Sequence, residues 1–173
     1  MKINIIEYFK ETVHLFPNKI AVIDRDREIT FSSLDDKVHT LAYNFASNAN
    51  VLKKPIAVYL NKSIESVCAD LAIIYSGNFY MNLDVKTPSE RIKNIIDLIT
   101  PAIIVTNNQY LKNISGILPD SIQVVNLDEV DWDLSIDDEL LDIRLQKLVD
   151  TDPLCIINTS GSTGTPKGVV LNL

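Results

Sequence analysis

Two segments, Pro55-Ile-Ala-Val-Tyr-Leu60 and Ala102-Ile-Ile-Val105, are apolar without alternation. A strand with one wet face alternates apolar and polar residues, so an unbroken apolar strand must be covered on both faces. Phe79–Leu83, Ile122–Leu127 and Leu154–Ile157 are three further strand candidates. Between them lie apolar residues at helical spacing: Ile64, Val67, Cys68, Leu71 and Ile74, then Ile92, Ile95, Ile96 and Ile99. This strand–helix rhythm predicts an α/β fold, a mostly parallel sheet covered by helices. The strands are expected near 56–60, 79–83, 102–105, 122–126 and 154–157, with four or more helices over them.

The chain starts with a helical pattern over 3–16, with Ile5, Ile6, Phe9, Val13 and Phe16 as its apolar positions, stopped by Pro17-Asn18. Ile20–Ile23, the polar turn Asp24–Arg27 and Ile29–Phe31 read as a hairpin. Ser32 offers an N-cap, with Asp35 three residues on, for a helix striped by Leu34, Val38, Leu41, Ala42 and Phe45. Ser63 caps the next helix and Gly77 ends it. Thr87-Pro88 opens another, with Pro at the first turn, and Pro101 ends it.

At 173 residues the chain is expected to be one domain, 1–173, able to build a core without metal or disulfide staples. A net charge of −7 disfavours nucleic-acid binding and a polybasic membrane contact. Charges at Glu7, Lys10 and Glu11 break any signal-peptide core, and no apolar run is long enough to span a membrane. A soluble, cytoplasmic protein is the expectation. Cys68 and Cys155 lack a CxxC partner or a His cluster, so they read as buried thiols and no metal site is predicted. Residues 128–142 hold eight acids and no base, but lack the central Gly of a calcium loop, so the segment reads as a solvated connector or helix start.

The chemistry-bearing segment is Asn158-Thr-Ser-Gly-Ser-Thr-Gly-Thr-Pro-Lys-Gly168, between the strand Leu154–Ile157 and a second apolar run, Val169–Leu171. Gly161 and Gly164 permit a tight turn with N–H groups close to a ligand. Thr159, Ser160, Ser162 and Thr163 carry hydroxyls, and Lys167 adds a compact positive charge. Together these suit a polyphosphate. The segment is not a Walker A loop: that pattern wants Gly at 166 and Ser or Thr at 168, where this chain has Pro166 and Gly168. No helix is expected after the loop to add its dipole. Composition alone leaves an ordinary Ser/Gly-rich hairpin as the alternative.

The run 159–168 resembles the phosphate-loop signature of the adenylate-forming (AMP-binding) superfamily. That superfamily takes in acyl-CoA synthetases, luciferases, adenylation domains of nonribosomal peptide synthetases and D-alanine–carrier-protein ligases. Ile29-Thr-Phe-Ser-Ser-Leu34 through Leu41-Ala42 is similar to the family's early strand–helix motif. Ser76-Gly-Asn-Phe-Tyr-Met-Asn-Leu-Asp84, with Thr87-Pro-Ser-Glu-Arg-Ile92, is similar to a second, in the form typical of amino-acid-activating members. The chain departs from that branch at Asn158, where Tyr is usual, and at Met81-Asn82, where a small residue and Pro are usual. Glu90 and Arg91 fit the motif but read as an exposed helix-start pair.

The resemblance implies carboxylate activation. A carboxylic or amino acid attacks the α-phosphorus of ATP, with Mg²⁺, to give an acyl-adenylate and pyrophosphate. A thiol of a carrier-protein phosphopantetheine or of CoA then takes the acyl group. Thr159, Ser160, Ser162 and Thr163 would donate to the leaving phosphates, Gly161 and Gly164 would permit their approach, and Lys167 would offset charge. The family's catalytic unit runs well past this loop, so the resemblance implies an N-terminal portion, inactive alone and without its catalytic residues. The alternatives are an acyl-CoA synthetase portion and a non-catalytic nucleotide- or partner-binding module.

Overall fold

The computed structural model describes residues 4–48, 51–134, 136–160 and 166–172. Helix α1 (Ile5–Leu15) leads into a two-stranded antiparallel sheet, β1 (Ile20–Asp24) and β2 (Arg27–Thr30), and then α2 (Phe31–Asn48). Strands β3 (Pro55–Val58), β4 (Phe79–Asn82), β5 (Ile103–Thr106) and β6 (Gln123–Asn126) alternate with helices α3 (Ile64–Tyr75), α4 (Ser89–Ile99) and α5 (Asn108–Ile114). A 3₁₀ turn at Leu127–Glu129 and α6 (Asp138–Leu145) precede β7 (Pro153–Ser160) and β8 (Pro166–Asn172). The main sheet has six strands in the order β6-β5-β3-β4-β7-β8, parallel except for β8, which pairs antiparallel with β7.

The two apolar strands are covered on both faces, as their composition requires. Ile56 and Val58 of β3, with Ile103 and Val105 of β5, pack into a core with α1, α2, α3 and α6. The intervening Ala57 and Ile104 join Ile92, Ile95 and Ile96 of α4 and Ile114 of α5 on the other face. Each fully buried Ile or Leu contributes roughly 1.5–3 kcal/mol over its exposed form. The partition follows the direction of chain travel. The steps β3→β4 and β6→β7 run one way across the sheet, and their helices α3 and α6 share a face. The steps β4→β5 and β5→β6 run the other way, and α4 and α5 lie opposite. A single crossover hand demands this reversal.

The local signals act as their chemistry predicts at Ser63, whose side chain accepts from Ser66 N while Ser66 reaches back to the cap N–H. Elsewhere they shift. Helix α2 starts at Phe31, so its cap is Thr30 rather than Ser32: the Thr30 Oγ1 accepts from Ser33 N at 3.3 Å. β2 ends at Thr30 and the chain enters the helix directly after it, so Ser32 already lies within the first turn. Pro88 stands at the N-cap of α4, one residue outside the first turn. In α1 a capping box joins Asn4 and Glu7, and Ile6 and Phe9 are buried whereas Ile5 and Phe16 are exposed.

The acid-rich stretch becomes the start of α6, whose docking uses its charge. Asp142 takes Lys10 Nζ at 3.2 Å, and Asp138 lies 3.7 Å from His39 Nε2. His39 also meets the Tyr75 hydroxyl at 2.9 Å and Asp35 at 3.3 Å. Burial alone would lower the His39 pKa, but the carboxylates of Asp35 and Asp138 outweigh it and raise it. On the same helix, buried Arg144 donates from Nε to Ser76 O at 2.6 Å and from Nη2 to Val51 O. The guanidinium thus meets the carbonyl end of α3, the negative end of its dipole. Among the described residues, no helix is long and apolar enough to cross a membrane.

Gly77 ends α3 at φ +81°, and a Cβ there would lie 2.5 Å from Leu52 Cδ1. Gly77→Ala combines a left-handed backbone with a clash, so it is expected to cost about 2 kcal/mol. The checkable outcome is a thermal midpoint lowered by roughly 4–8 °C in a chain of this size.

Candidate functional site

In open parallel sheets a ligand crevice forms outside the carboxyl ends of the strands where the chain reverses its direction across the sheet. The chain steps from β3 to β4 and then crosses back to β5 and on to β6, so that point lies between β3 and β5. A cleft of about 750 Å³ opens beside it at the carboxyl ends of β3 and β4, lined by Leu60–Ser63 after β3, by Ser66, Val67 and Asp70 of α3, and by Asn82–Asp84 at the end of β4. The β1–β2 hairpin closes one side with Val22, Ile23 and Asp24. Arg27 fastens that hairpin to α3, its two terminal nitrogens 2.7 and 3.1 Å from the Glu65 carboxylate. This pairing holds the Glu65 pKa down to about 2.

The glycine-rich segment leaves the sheet at the same end. β7 runs beside β4 with Met81 opposite Ile156, so Ser160 lies four residues, about 13 Å, beyond that pair. β8 returns directly as an antiparallel partner, and the loop therefore joins two strands with no helix behind it. Of the seven predicted loop residues, the backbone of Ser160 pairs with Pro166, and Thr159 pairs with Lys167. The Thr159 Oγ1 donates to the Lys167 carbonyl at 3.3 Å, and the Lys167 side chain is exposed. Gly161, Ser162, Thr163 and Gly164 lie outside the described residues. Gly168 has a packing role: a Cβ there would lie 2.9 Å from Ile156 Cγ2 and 3.3 Å from Ile99 Cδ1.

A second cleft, of about 610 Å³, runs between the start of α4 and β7 and shares Asn82, Leu83, Asp84 and Lys86 with the first. Arg91 from the first turn of α4 and Asn158 from β7 also line it. Asp84 shapes the turn, its Oδ1 accepting from Lys86 N at 2.9 Å. Arg91 is exposed at the helix start, as its sequence position predicts, and the fold adds that it faces a cleft beside the loop's base. Cys155 of β7 also lines this cleft, whereas Cys68 lies in the core. Both are buried and unpaired with each other, and burial pushes the Cys68 pKa up to about 12. Among the described residues, no group of three or more His, Cys, Asp or Glu is arranged to hold a metal ion.

Asp70 is the site residue that local pattern did not reveal. It lies on α3 outside the apolar stripe, and its Oδ2 accepts from Asn82 Nδ2 at 3.0 Å. Its Oδ1 is buried with no partner among the described residues. Burial raises the carboxyl pKa to about 7, and the Asn82 hydrogen bond only partly opposes this. The unfolded value is about 3.9, so the folded state holds the extra proton between pH 4 and 7. Stability from this group is thus greatest at acid pH and falls as pH rises to about 7. Asp70→Asn is expected to flatten that slope and to stabilise the chain at pH 8 by on the order of 2–4 kcal/mol. Chemical denaturation of both proteins at pH 5 and pH 8 measures it, and an equal gain at the two values would refute the assignment.

Residues 9–173 match the family described as AMP-binding enzyme. Tyrocidine synthase 1 of Brevibacillus parabrevis is 31% identical over 171 residues, 97% of this chain and 15% of that protein. Bacitracin synthase 2 of Bacillus licheniformis is 29% identical over 166 residues, covering 95% of this chain and 6% of its own length. Among solved structures, the N-terminal subdomain of Klebsiella oxytoca NpsA superposes with a TM-score of 0.80 at 21% identity, over 97% of this chain and 41% of that one. VinN superposes with a TM-score of 0.79 at 17% identity, over 96% and 44%. At such identities the structural likeness concerns the fold, and the chain spans a small part of the curated relatives it matches. The α/β architecture, the loop signature and the family match over residues 9–173 agree, and the chain belongs to the AMP-binding enzyme family.

Proposed function

We propose that this chain is the N-terminal part of an adenylation domain, the phosphate-binding side of a ligase that activates a carboxylate with ATP. The observation that carries the reading is the run Thr159–Gly168 on a hairpin at the carboxyl ends of the parallel strands. The family match and the peptide-synthetase relatives support it. The structures of VinN with L-aspartate and of NpsA with 3-hydroxybenzoyl-AMSN, each a similar fold, favour an amino or carboxylic acid as the activated substrate.

In this reading a carboxylate oxygen bonds to the α-phosphorus of ATP as the bond to the pyrophosphate oxygen breaks. The hydroxyls of Thr159, Ser160, Ser162 and Thr163 donate to the departing β- and γ-phosphates. Gly161 and Gly164 let backbone N–H groups reach the same oxygens. Lys167 offsets their charge, and the family of interactions acts by fixed electrostatics rather than by proton transfer. Magnesium bound with the nucleotide would neutralise part of the phosphate charge. A thiol then attacks the acyl carbonyl and AMP leaves. A carrier-protein phosphopantetheine is the acceptor proposed, from the peptide-synthetase relatives, with CoA as the alternative.

Two outcomes test this. The 173-residue chain by itself is expected to show no carboxylate-dependent exchange of pyrophosphate into ATP, because the reading assigns nucleoside and carboxylate contacts to later residues. Exchange above a heat-killed control would overturn the fragment reading. In the longer protein, Lys167→Ala is expected to slow exchange about ten- to a hundred-fold while thermal stability holds, the loss of one charge-assisted hydrogen bond. An unchanged rate in the folded variant would remove this lysine from the mechanism.

A further inference from the structure

The second cleft holds groups that the loop signature does not include. Asn158 is half-buried on β7, and its Nδ2 is buried with no acceptor among the described residues. A buried amide donor without a partner is costly, so its persistence calls for an acceptor. Lys86 and Arg91 line the same cleft, and neither forms an ion pair among the described residues. The nearby carboxylate, Asp84, spends its Oδ1 on the Lys86 backbone N–H. Donors and cations thus converge with one engaged acid among them. The complement is a multiply charged anion that accepts and does not donate.

We propose that Asn158, Lys86 and Arg91 form a subsite for one phosphate group of a polyphosphate, beside the base of the Thr159–Lys167 hairpin. The proposal deepens the adenylation reading and rests on it for the choice of phosphate over carboxylate. Asn158 lies two residues before Ser160, about 7 Å along the strand, so the cleft adjoins the base of the hairpin where Thr159 pairs with Lys167. The Arg91 guanidinium presents a planar fork that can take two phosphate oxygens at once. Lys86 acts as a point charge at the cleft mouth.

Binding of sodium pyrophosphate to the 173-residue chain, followed by calorimetry at constant ionic strength without magnesium, tests the subsite. The expected result is saturable binding that Arg91→Gln and Asn158→Asp each weaken at least about tenfold. Lys93→Gln, on the same helix but paired with Asp97, is expected to change affinity less than about twofold. Circular dichroism confirms that each variant is folded, and Arg91→Gln removes an exposed side chain that the fold does not need. AMP, with a single phosphate, should bind more weakly than pyrophosphate and respond less to either substitution. Loss of binding in Lys167→Ala with none in Arg91→Gln and Asn158→Asp overturns the subsite while leaving the hairpin reading intact. The reverse pattern supports the subsite and removes Lys167 from phosphate contact. Absence of saturable pyrophosphate binding overturns the subsite outright.

Discussion

The parallel pairing of β4 with β7, with Tyr80 opposite Cys155 and Met81 opposite Ile156, is the contact on which the site depends. It joins strands separated in sequence by α4, β5, α5, β6 and α6. Met81 and Ile156 are both buried and pack with Ile92, Ile95 and Ile96 of α4. That packing is where the ladder draws its stability, since a parallel pair has little to offer from its hydrogen bonds alone. It also fixes how far β7 carries Thr159 and Ser160 past that pair. A slip of one residue would turn Ile156 and Gly168 away from Ile99 and carry Asn158 to the other face.

The long return from β6 to β7 adds polar anchors to apolar packing. Helix α6 buries Leu141 and Leu145 in the core, and polar contacts fasten it further: Asp142 to Lys10, Asp138 near His39, and Arg144 to the carbonyls of Ser76 and Val51. Among the described residues the buried guanidinium has no carboxylate partner and is satisfied by backbone oxygens instead. Asn78 reinforces the same junction, donating to Val51 O and Ser76 Oγ and accepting from Lys54 N. The polar knot holds the end of α3 against the start of β4. The cleft at the strand ends is therefore framed by two elements that cannot shift independently.

Strong local signals were legible in the sequence. Unbroken apolar runs at 55–60 and 102–105 required a two-faced sheet, and Ser63 and Gly77 bound α3 as their side-chain chemistry and positive φ demand. Weaker ones were not. The short helix α5 is capped by Asn107 and carries one buried residue, Ile114, too little for a periodic pattern to register. The cap of α2 fell to Thr30 because hydrogen bonding in the hairpin, a non-local effect, decides where β2 ends. Asp70 reads as an exposed helix position until the fold closes Asn82 over it.

By itself the sequence determined the α/β class, the two ends of α3 and the chemistry of the 159–168 run, because these rest on period, turn residues and a short contiguous motif. The tertiary structure alone decided the strand order, the antiparallel return of β8, and the meeting of Asn158 with Lys86 and Arg91 at one cleft. Those depend on which buried faces find each other across long stretches of chain. Packing sets that choice, and no local pattern of residues encodes it.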